Sequence, residues 1–462
     1  MGNNKTKEKI VVLGLGKSGK ETALFFAKKG ARVIVSDQKG RKDLAGTLAS
    51  LAPFANITPV LGEQPVSLVD DETTLVVKSP GIPPNIPLLA EARRRGIPVL
   101  SEVEVAYHFT RAPIIGITGT NGKTTTTTLV KEILQEAGLK AQVAGNIGIP
   151  LISVAERVEI EVLVAELSSF QLLDIKEFRP RISAILNITE DHLDYHRDFE
   201  EYVRAKGNIL LNQTEADYAV LNADDELVKK VAAASRAKKY YFSRSKALEA
   251  GVYVSGGQVV IRDGGKTISV IPVAGLTLPG LHNLENALAA AAVAYCFGVG
   301  AAVIARVLRT FKGVEHRLEF VREIKGVKYI NDSKGTNPEA TVKALEAYRE
   351  PIILLAGGMD RGSDFSQFAE QVKNKVRHLF LLGETREAIA AALTRAGYHD
   401  FTLVGSLQEA VLQAEAMAVA GDIVLLSPAC PSWDMFKNFE ERGNLFKAYV
   451  HALKEEGSSE KN

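Results

Sequence analysis

Short runs of aliphatic and β-branched residues recur along the chain, separated by longer mixed stretches. The clearest are Lys9–Leu13, Ala31–Val35, Ile114–Ile117, Val162–Ala165, Ile185–Asn187, Ile352–Leu355 and Ile423–Leu426. They are continuous rather than alternating, so both faces of each strand are expected to be covered. The stretches between them are long enough for crossover helices. The pattern predicts an α/β protein of three domains, each a largely parallel sheet with helices on both faces. A Pro- and Gly-rich loop at Ser79–Pro84 precedes the end of the first unit near Val99–Ser101. A new strand and glycine loop begin near Ile114, and a third α/β pattern follows Gly313. The boundaries read as 1–101, 102–313 and 314–462. The β-rich stretch Gly251–Gly280 reads as a small extra sheet in the middle domain. Ala287–Ala305 is uncharged, but it is Ala-rich and broken by Gly298 and Gly300. It predicts a buried helix, a turn and a second helix rather than a membrane span.

Composition narrows the class. A chain of 462 residues suits about three domains at roughly 150 residues each. Hydrophobic residues make up 46% and charged residues 24%, which excludes disorder throughout. Lys plus Arg number 56 against 55 Asp plus Glu, so no net charge recommends a nucleic-acid or membrane partner. Two cysteines, Cys296 and Cys430, make neither a disulfide framework nor a zinc site and suit a reducing cytoplasm. The polar, basic start Met1–Lys9 lacks the apolar core of a signal peptide.

Two glycine loops carry the chemistry. Gly14-Leu15-Gly16-Lys17-Ser18-Gly19 follows the first strand, and Asp37 closes the second, 18 residues after Gly19. This dinucleotide-type fingerprint lets backbone approach a pyrophosphate at a helix N-terminus. Read alone it points to a nicotinamide-dependent oxidoreductase, or to a tight turn without ligand, but a UDP-sugar pyrophosphate fits equally. The second loop, Gly119-Thr120-Asn121-Gly122-Lys123-Thr124-Thr125, follows the strand at Ile114. Gly-Lys-Thr at a helix N-terminus cradles a triphosphate, with Lys123 on the β/γ oxygens and the Thr124 hydroxyl on Mg²⁺. The strict pattern is broken, because Ile117 stands where a glycine is usual.

An acid for the metal is expected at the end of a neighbouring strand, and Glu166 ends the run Val162–Glu166. A third strand, Ile182–Asn187, leads to Thr189-Glu190-Asp191-His192-Leu193-Asp194. Ligands in open parallel sheets sit beyond the carboxyl ends of the strands, so Lys123, Glu166 and His192 are expected to cluster there. Helical spacing puts Lys206 on the apolar stripe of Tyr202, Val203, Ile209 and Leu210; on residue type alone it reads as a snorkelling lysine. In the third domain, Asn331–Pro338, Gly357–Gly362 and Ser427–Asp434 end strands as polar loops. Lys334 and Arg361 suit substrate carboxylates, with Arg the better bidentate clamp. Ordinary loop composition is the plainer alternative for any one of them.

Taken together these motifs resemble the Mur ligases of peptidoglycan synthesis, over nearly the whole chain. Beside the second glycine loop the resemblance rests on Gly145–Gly148, Glu166–Leu172, Thr189–Asp194, His282-Asn283 with Asn286-Ala287, Glu315-His316-Arg317, and Asn331–Asn337. The run Leu426–Phe439 points to the member that adds D-glutamate. The resemblance implies a Rossmann-like N-terminal domain for a UDP-linked substrate, a P-loop-type central ATPase domain, and a Rossmann-like C-terminal domain for the amino acid. It implies that Lys17, Ser18, Asp37, Gln38, Lys39, Gly81 and Asn146 contact UDP-N-acetylmuramoyl-L-alanine. It assigns Gly119–Thr125 with Asn286, Arg317 and Asp332 to ATP. It assigns Thr124, Glu166 and His192 to two Mg²⁺ ions, and identifies Lys206 with the family lysine that CO₂ carbamylates into a metal ligand, against the snorkelling reading. Lys334, Thr336, Arg361, Ser432 and Phe439 fall in the D-glutamate pocket, although some members carry Lys where Arg361 stands.

The implied reaction phosphorylates the substrate carboxylate to an acyl phosphate, which the amine of D-glutamate attacks. The expected catalytic set is Lys123, Glu166, His192 and Lys206, in a cytoplasmic monomer acting on small molecules with no nucleic-acid or membrane partner. The rivals are a Mur ligase for another amino acid, disfavoured because an Asn-Pro-Arg run is absent; a folate polyglutamate ligase; a nicotinamide oxidoreductase; and an inactive regulatory ATPase.

Overall fold

The computed structural model describes residues 8–192, 195–278 and 280–454; Leu193 and Asp194 of the Thr189–Asp194 motif and the charged tail beyond Lys454 lie outside them. The first sheet is built from β1 (Lys9–Leu13), β2 (Arg32–Asp37), β3 (Ile57–Leu61), β4 (Thr73–Lys78) and β5 (Val99–Ser101). Its order is β3-β2-β1-β4-β5, all parallel. Alternate residues of the apolar runs serve opposite faces. Ile10 and Val12 join Ala23 and Phe26 of the helix Lys17–Lys28, while Val11 and Leu13 join Leu88 and Leu89 of the helix Pro87–Arg94. The chain reverses direction across the sheet between β1 and β4, which makes a crevice at their carboxyl ends.

The second sheet comprises β6 (Ile114–Thr118), β7 (Ala141–Gly145), β8 (Val162–Glu166), β9 (Ile182–Ile185), β10 (Tyr218–Asn222), β11 (Lys238–Ser243), β12 (Gly251–Ser255), β13 (Gln258–Asp263) and β14 (Lys266–Pro272). Its order is β14-β13-β12-β11-β10-β9-β6-β8-β7. β6 therefore sits between β8 and β9, at the switch point where a ligand is expected. The stretch 251–280 does not form the separate sheet expected of it. β12 pairs in parallel with β11, and β13 and β14 add antiparallel strands to the same edge. Gly251 permits this junction: at φ 144° its position leaves only 2.2 Å between an added Cβ and the Tyr241 carbonyl. The uncharged stretch forms two helices, Leu281–Phe297 and Ala301–Thr310, with Ala287 to Ala294 buried.

The third sheet holds β15 (Glu319–Ile324), β16 (Val327–Asn331), β17 (Ile352–Ala356), β18 (Val376–Leu381), β19 (Phe401–Leu403) and β20 (Ile423–Leu426). The order is β15-β16-β20-β17-β18-β19, and only β15 runs antiparallel. The architecture is three largely parallel α/β sheets with flanking helices. Two compact units contain them: one runs to Leu276 and includes His282–Thr310, the other takes Thr277–Leu281 and the chain from Phe311 onward. No described helix is long and apolar enough to cross a membrane.

Candidate active site

The first glycine loop is shaped by packing as well as by ligand chemistry. Gly14 (φ 85°) turns the chain out of β1. Gly19 lies so close to that turn that a Cβ would come within 1.7 Å of the Gly14 carbonyl oxygen. Asp37, at the end of β2, accepts the Leu15 N–H at 2.6 Å on one oxygen and the Lys39 N–H at 2.9 Å on the other. Its carboxylate thus holds the glycine loop and the Gln38–Lys39 turn together. Lys17 and Ser18 occupy the first turn of the helix behind the loop, and Gly81 lies in the loop after β4. Six of the seven residues expected around a UDP-linked substrate, all but Asn146, therefore lie at the carboxyl ends of β1, β2 and β4.

The second loop turns from β6 into the helix Lys123–Glu136 through Gly119 (φ 156°) and Gly122 (φ 82°). Gly122 faces Asn286, whose Oδ1 an added Cβ would approach to 2.1 Å. Asn187 clasps the loop, accepting the Asn121 N–H at 2.8 Å and donating to the Asn121 carbonyl at 3.2 Å. Lys123 donates to the Gly119 and Thr120 carbonyls at 2.9 and 2.8 Å. Thr124 and Thr125 are buried in the first helical turn. Lys206, from the helix Phe199–Gly207, donates to the same Gly119 carbonyl at 2.8 Å. It is 2% exposed, and its Nζ lies 4.6 Å from the Tyr202 ring centre. Burial, reinforced by Lys123 and opposed by Asp191, pushes this amine well below the ordinary lysine range, towards the neutral, nucleophilic form.

Glu166 ends β8 in register with Ile117 of β6. It is 1% exposed. Its Oε1 accepts from the Asn146 amide at 2.7 Å, so Asn146 sits on this acid. Its Oε2 is buried with no hydrogen-bond partner among the described residues. A buried carboxylate oxygen left unpaired is costly unless a cation takes it. With the Thr124 hydroxyl in the first turn of the helix Lys123–Glu136, the oxygen-rich chemistry fits Mg²⁺. Among the described residues no three His, Cys, Asp or Glu side chains form a metal-holding group, so an ion here needs oxygens from elsewhere as well. His192 is half-exposed in the left-handed region (φ 55°), 3.5 Å from Asp191 and 4.8 Å between ring centres from Phe170.

A buried network joins the first two sheets. Lys78, at the end of β4, lies 2.9 Å from the Asp174 carboxylate, 2.9 Å from the Tyr195 hydroxyl and 3.2 Å from the Ile82 carbonyl. Tyr195 also donates to Ile82 at 2.9 Å, and its ring packs 4.1 Å from Phe170. The loop after β4 is thereby tied to the segment bearing His192. Removing one partner of a buried pair strands the other charge. Lys78→Met is expected to cost about 3 kcal/mol of stability and Tyr195→Phe about 1 kcal/mol, read by urea denaturation. Equal stability for all three proteins would show that the network carries no energy.

In the second unit, β16, β20 and β17 lie side by side, so the three polar loops leave one sheet edge. Asp332 follows β16 and is buried, accepting from the Ser427 hydroxyl at 2.7 Å and the Leu318 N–H at 3.2 Å. Burial, partly offset by Ser427 and Arg317, pushes its carboxyl up to about 6. The folded chain therefore holds this proton more tightly than the unfolded chain. Stability is expected to fall as pH rises from about 4 to about 6, by on the order of 3 kcal/mol, and to level off above. Asp332→Asn should flatten that slope in denaturation curves across this range; an unchanged slope would exclude Asp332 as its source.

Arg442, 1% exposed, braces two of these loops. It donates to Ser333 at 3.0 and 2.9 Å and to the Cys430 carbonyl at 3.1 Å. The Met359 N–H reaches Pro431 at 2.9 Å, joining the loops after β17 and β20. Among the expected amino-acid contacts, Lys334 lies 5.7 Å from the Phe439 ring, and Ser432 is buried on its loop. The Thr336 N–H bonds to the Lys334 carbonyl at 2.9 Å. The Arg361 guanidinium stacks 4.7 Å over exposed Trp433, a contact that orients it.

Sequence reasoning passed over Lys78, Asp174, Asn187, His196 and Arg442. His196 is buried 2.9 Å from the Ser169 hydroxyl, and burial holds its imidazole below the ordinary range. Its four-residue spacing from His192 was a usable signal. Arg442 offered none, since Glu440 and Glu441 beside it resemble a solvated helix face.

Comparison with known proteins follows the three sheets. The profile of the Mur ligase MurD-like N-terminal domain matches residues 8–101, that of the Mur ligase middle domain 117–294, and that of the Mur ligase glutamate ligase domain 316–430. A UDP-N-acetylmuramoylalanine--D-glutamate ligase of Pelotomaculum thermopropionicum is 50% identical, covering 97% of this chain and 98% of its own. One from Clostridioides difficile is 48% identical over 97% of this chain and 99% of its own. Among solved structures, a UDP-N-acetylmuramate-alanine ligase from Thermotoga maritima superposes with TM-score 0.60 at 20% identity, covering 96% of this chain and all of its own. Escherichia coli FolC with ADP and a ligand superposes with TM-score 0.58 at 19% identity, covering 76% of this chain and 92% of its own. The chain belongs to the Mur ligase family.

Proposed function

We propose that this chain is an ATP-dependent ligase that joins D-glutamate to UDP-N-acetylmuramoyl-L-alanine through an acyl phosphate, in cytoplasmic peptidoglycan precursor synthesis. The observation that carries the reading is the meeting of Lys123 and Lys206 on the Gly119 carbonyl, at the sheet switch point next to β8 and its orphaned Glu166 oxygen. The near-full-length relatives named as D-glutamate ligases support the amino acid.

A carboxylate is a poor electrophile, so the chemistry needs phosphoryl transfer before the amine can attack. Gly119, Thr120, Asn121, Gly122 and Thr125 wrap the triphosphate once Lys123 turns from their carbonyls to the phosphates, with the N–H groups of the first helical turn as donors, while the Thr120 and Asn121 N–H groups stay on Asn187 and hold the loop's shape. Asn286 positions that loop; Arg317 and Asp332 are assigned as further ATP contacts by the family resemblance. Bound Mg²⁺ supplies charge neutralisation at the transferring phosphoryl, and Thr124, Glu166, His192 and Lys206 are its proposed holders. Burial lowers the basicity of the Lys206 amine, which favours its capture of CO₂ from the unprotonated form, forming an N–C bond and releasing a proton. The resulting carbamate provides the additional oxygens an ion at Glu166 requires. Lys17, Ser18, Asp37, Gln38, Lys39, Gly81 and Asn146 are proposed to hold the UDP-linked substrate. Lys334, Thr336, Arg361, Ser432 and Phe439 are proposed to hold D-glutamate. Functional domains of 1–101, 102–313 and 314–462, acting in a monomer, complete the reading.

The test is phosphate release from ATP and Mg²⁺ with UDP-N-acetylmuramoyl-L-alanine and a panel of amino acids. Release is expected only with both the UDP substrate and D-glutamate present. Release with a different amino acid would keep the ligase and overturn the pocket assignment. No release by folded protein that still binds ATP would overturn the ligase.

A further inference from the structure

On the opposite edge of the second sheet, at the amino ends of β6, β9 and β10, a cleft of about 320 Å³ is lined by Tyr107, Thr110, Arg111, Arg179, Arg181 and Asp217, among others. Ligands of the glycine loops lie beyond the carboxyl ends of these strands, so this cleft is no part of that chemistry. Three guanidinium groups share it with one carboxylate. Arg179 is committed in part, giving its Nε to Asp217 at 2.8 Å and one terminal nitrogen to Thr214 at 2.8 Å. Arg181 is steadied by the Phe297 ring, 5.6 Å away. Among the described residues, neither Arg111 nor Arg181 has an ion-pair partner; both are exposed. The cleft therefore carries two uncompensated positive charges in a chain whose net charge is +1.

We propose that this cleft binds a phosphate dianion, free or as a phosphomonoester. A single carboxylate would neutralise one guanidinium and leave the other. A phosphate dianion matches both charges, and its oxygens accept paired N–H donors from planar guanidinium forks. Tyr107 adds a neutral hydroxyl donor to the lining, whereas the Thr110 hydroxyl is already given to the Ala106 carbonyl at 2.8 Å. The lining segment Thr110–Ile114 is the connection leading into β6 and its glycine loop, so an anion here braces the base of the strand that carries Lys123.

The test is calorimetric titration of inorganic phosphate, and separately of phenyl phosphate, into the full chain saturated with ADP and Mg²⁺. Wild type is expected to bind one equivalent, and Arg111→Ala/Arg181→Ala to bind at least tenfold more weakly. Arg181→Lys, which keeps the charge and loses the fork, should fall between them. Both side chains are exposed, so the variants should unfold at the wild-type temperature and keep basal ATP turnover. Tighter binding of phenyl phosphate than of phosphate assigns the site to a monoester, and the reverse assigns it to the free anion. Titrations that coincide for wild type and the double variant, or no binding by wild type, would overturn the proposal.

Discussion

Replacing Lys206 by methionine is expected to lower turnover by about 10²–10³-fold while leaving the fold and ATP binding intact. Methionine fills nearly the same buried volume without the amine. What is lost is the donor to the Gly119 carbonyl at 2.8 Å and the nucleophile for CO₂. The first loss alone is a hydrogen bond worth about 1 kcal/mol, which shifts stability slightly and turnover little. The second removes a proposed metal ligand and acts on turnover directly. Depleting CO₂ separates the two: wild-type turnover should fall and recover on adding bicarbonate, while the methionine variant responds to neither. A variant that retains wild-type turnover would remove Lys206 from the catalytic set.

Gly19→Ala is expected to destabilise the first sheet by at least about 3 kcal/mol and to abolish uridine diphosphate binding. The added methyl would lie 1.7 Å from the Gly14 carbonyl oxygen, which is backbone and cannot rotate away. Either the helix Lys17–Lys28 lifts from β1 or the turn at Gly14 opens, and both dismantle the crevice. Gly16→Ala is the matched control, because Gly16 has an ordinary φ of −67° and no atom within 4 Å of an added Cβ. It should hold stability within about 0.5 kcal/mol and yet weaken the nucleotide, since a methyl there obstructs approach of a pyrophosphate to the loop. Equal stability of the two variants would show that Gly19 is not under packing constraint.

These contrasts mark how much was legible before folding. Two glycines of one motif look equivalent in sequence, yet Gly19 is demanded by close packing on the Gly14 turn, while Gly16 faces open space and is constrained only by the proposed ligand. Strands such as Lys9–Leu13 were legible because continuous apolar runs have few other fates than two-sided burial. The helix–turn–helix at Leu281–Thr310 was legible because Ala favours helix and Gly298 stops it. The hairpin β13–β14 was read as strands but assigned to the wrong sheet, because edge pairing with β11 depends on Tyr241 and Gly251 meeting in space.

The sequence by itself determined the α/β class, the two glycine loops, and the presence of Glu166 and His192 near strand ends. Each of these is a local constraint, written in backbone propensity, glycine placement and hydrophobic period. The tertiary structure alone decided which charges would be buried and with whom. Lys206 meets Gly119 across 87 residues, Lys78 meets Tyr195 across 117, and Arg442 meets Ser333 across 109. A lysine or arginine in sequence is a surface residue by default. Only the sheet order, by bringing distant segments to one edge, converts it into an amine of lowered basicity, a buried tie or a brace, because desolvation and pairing are properties of the assembled neighbourhood rather than of the residue.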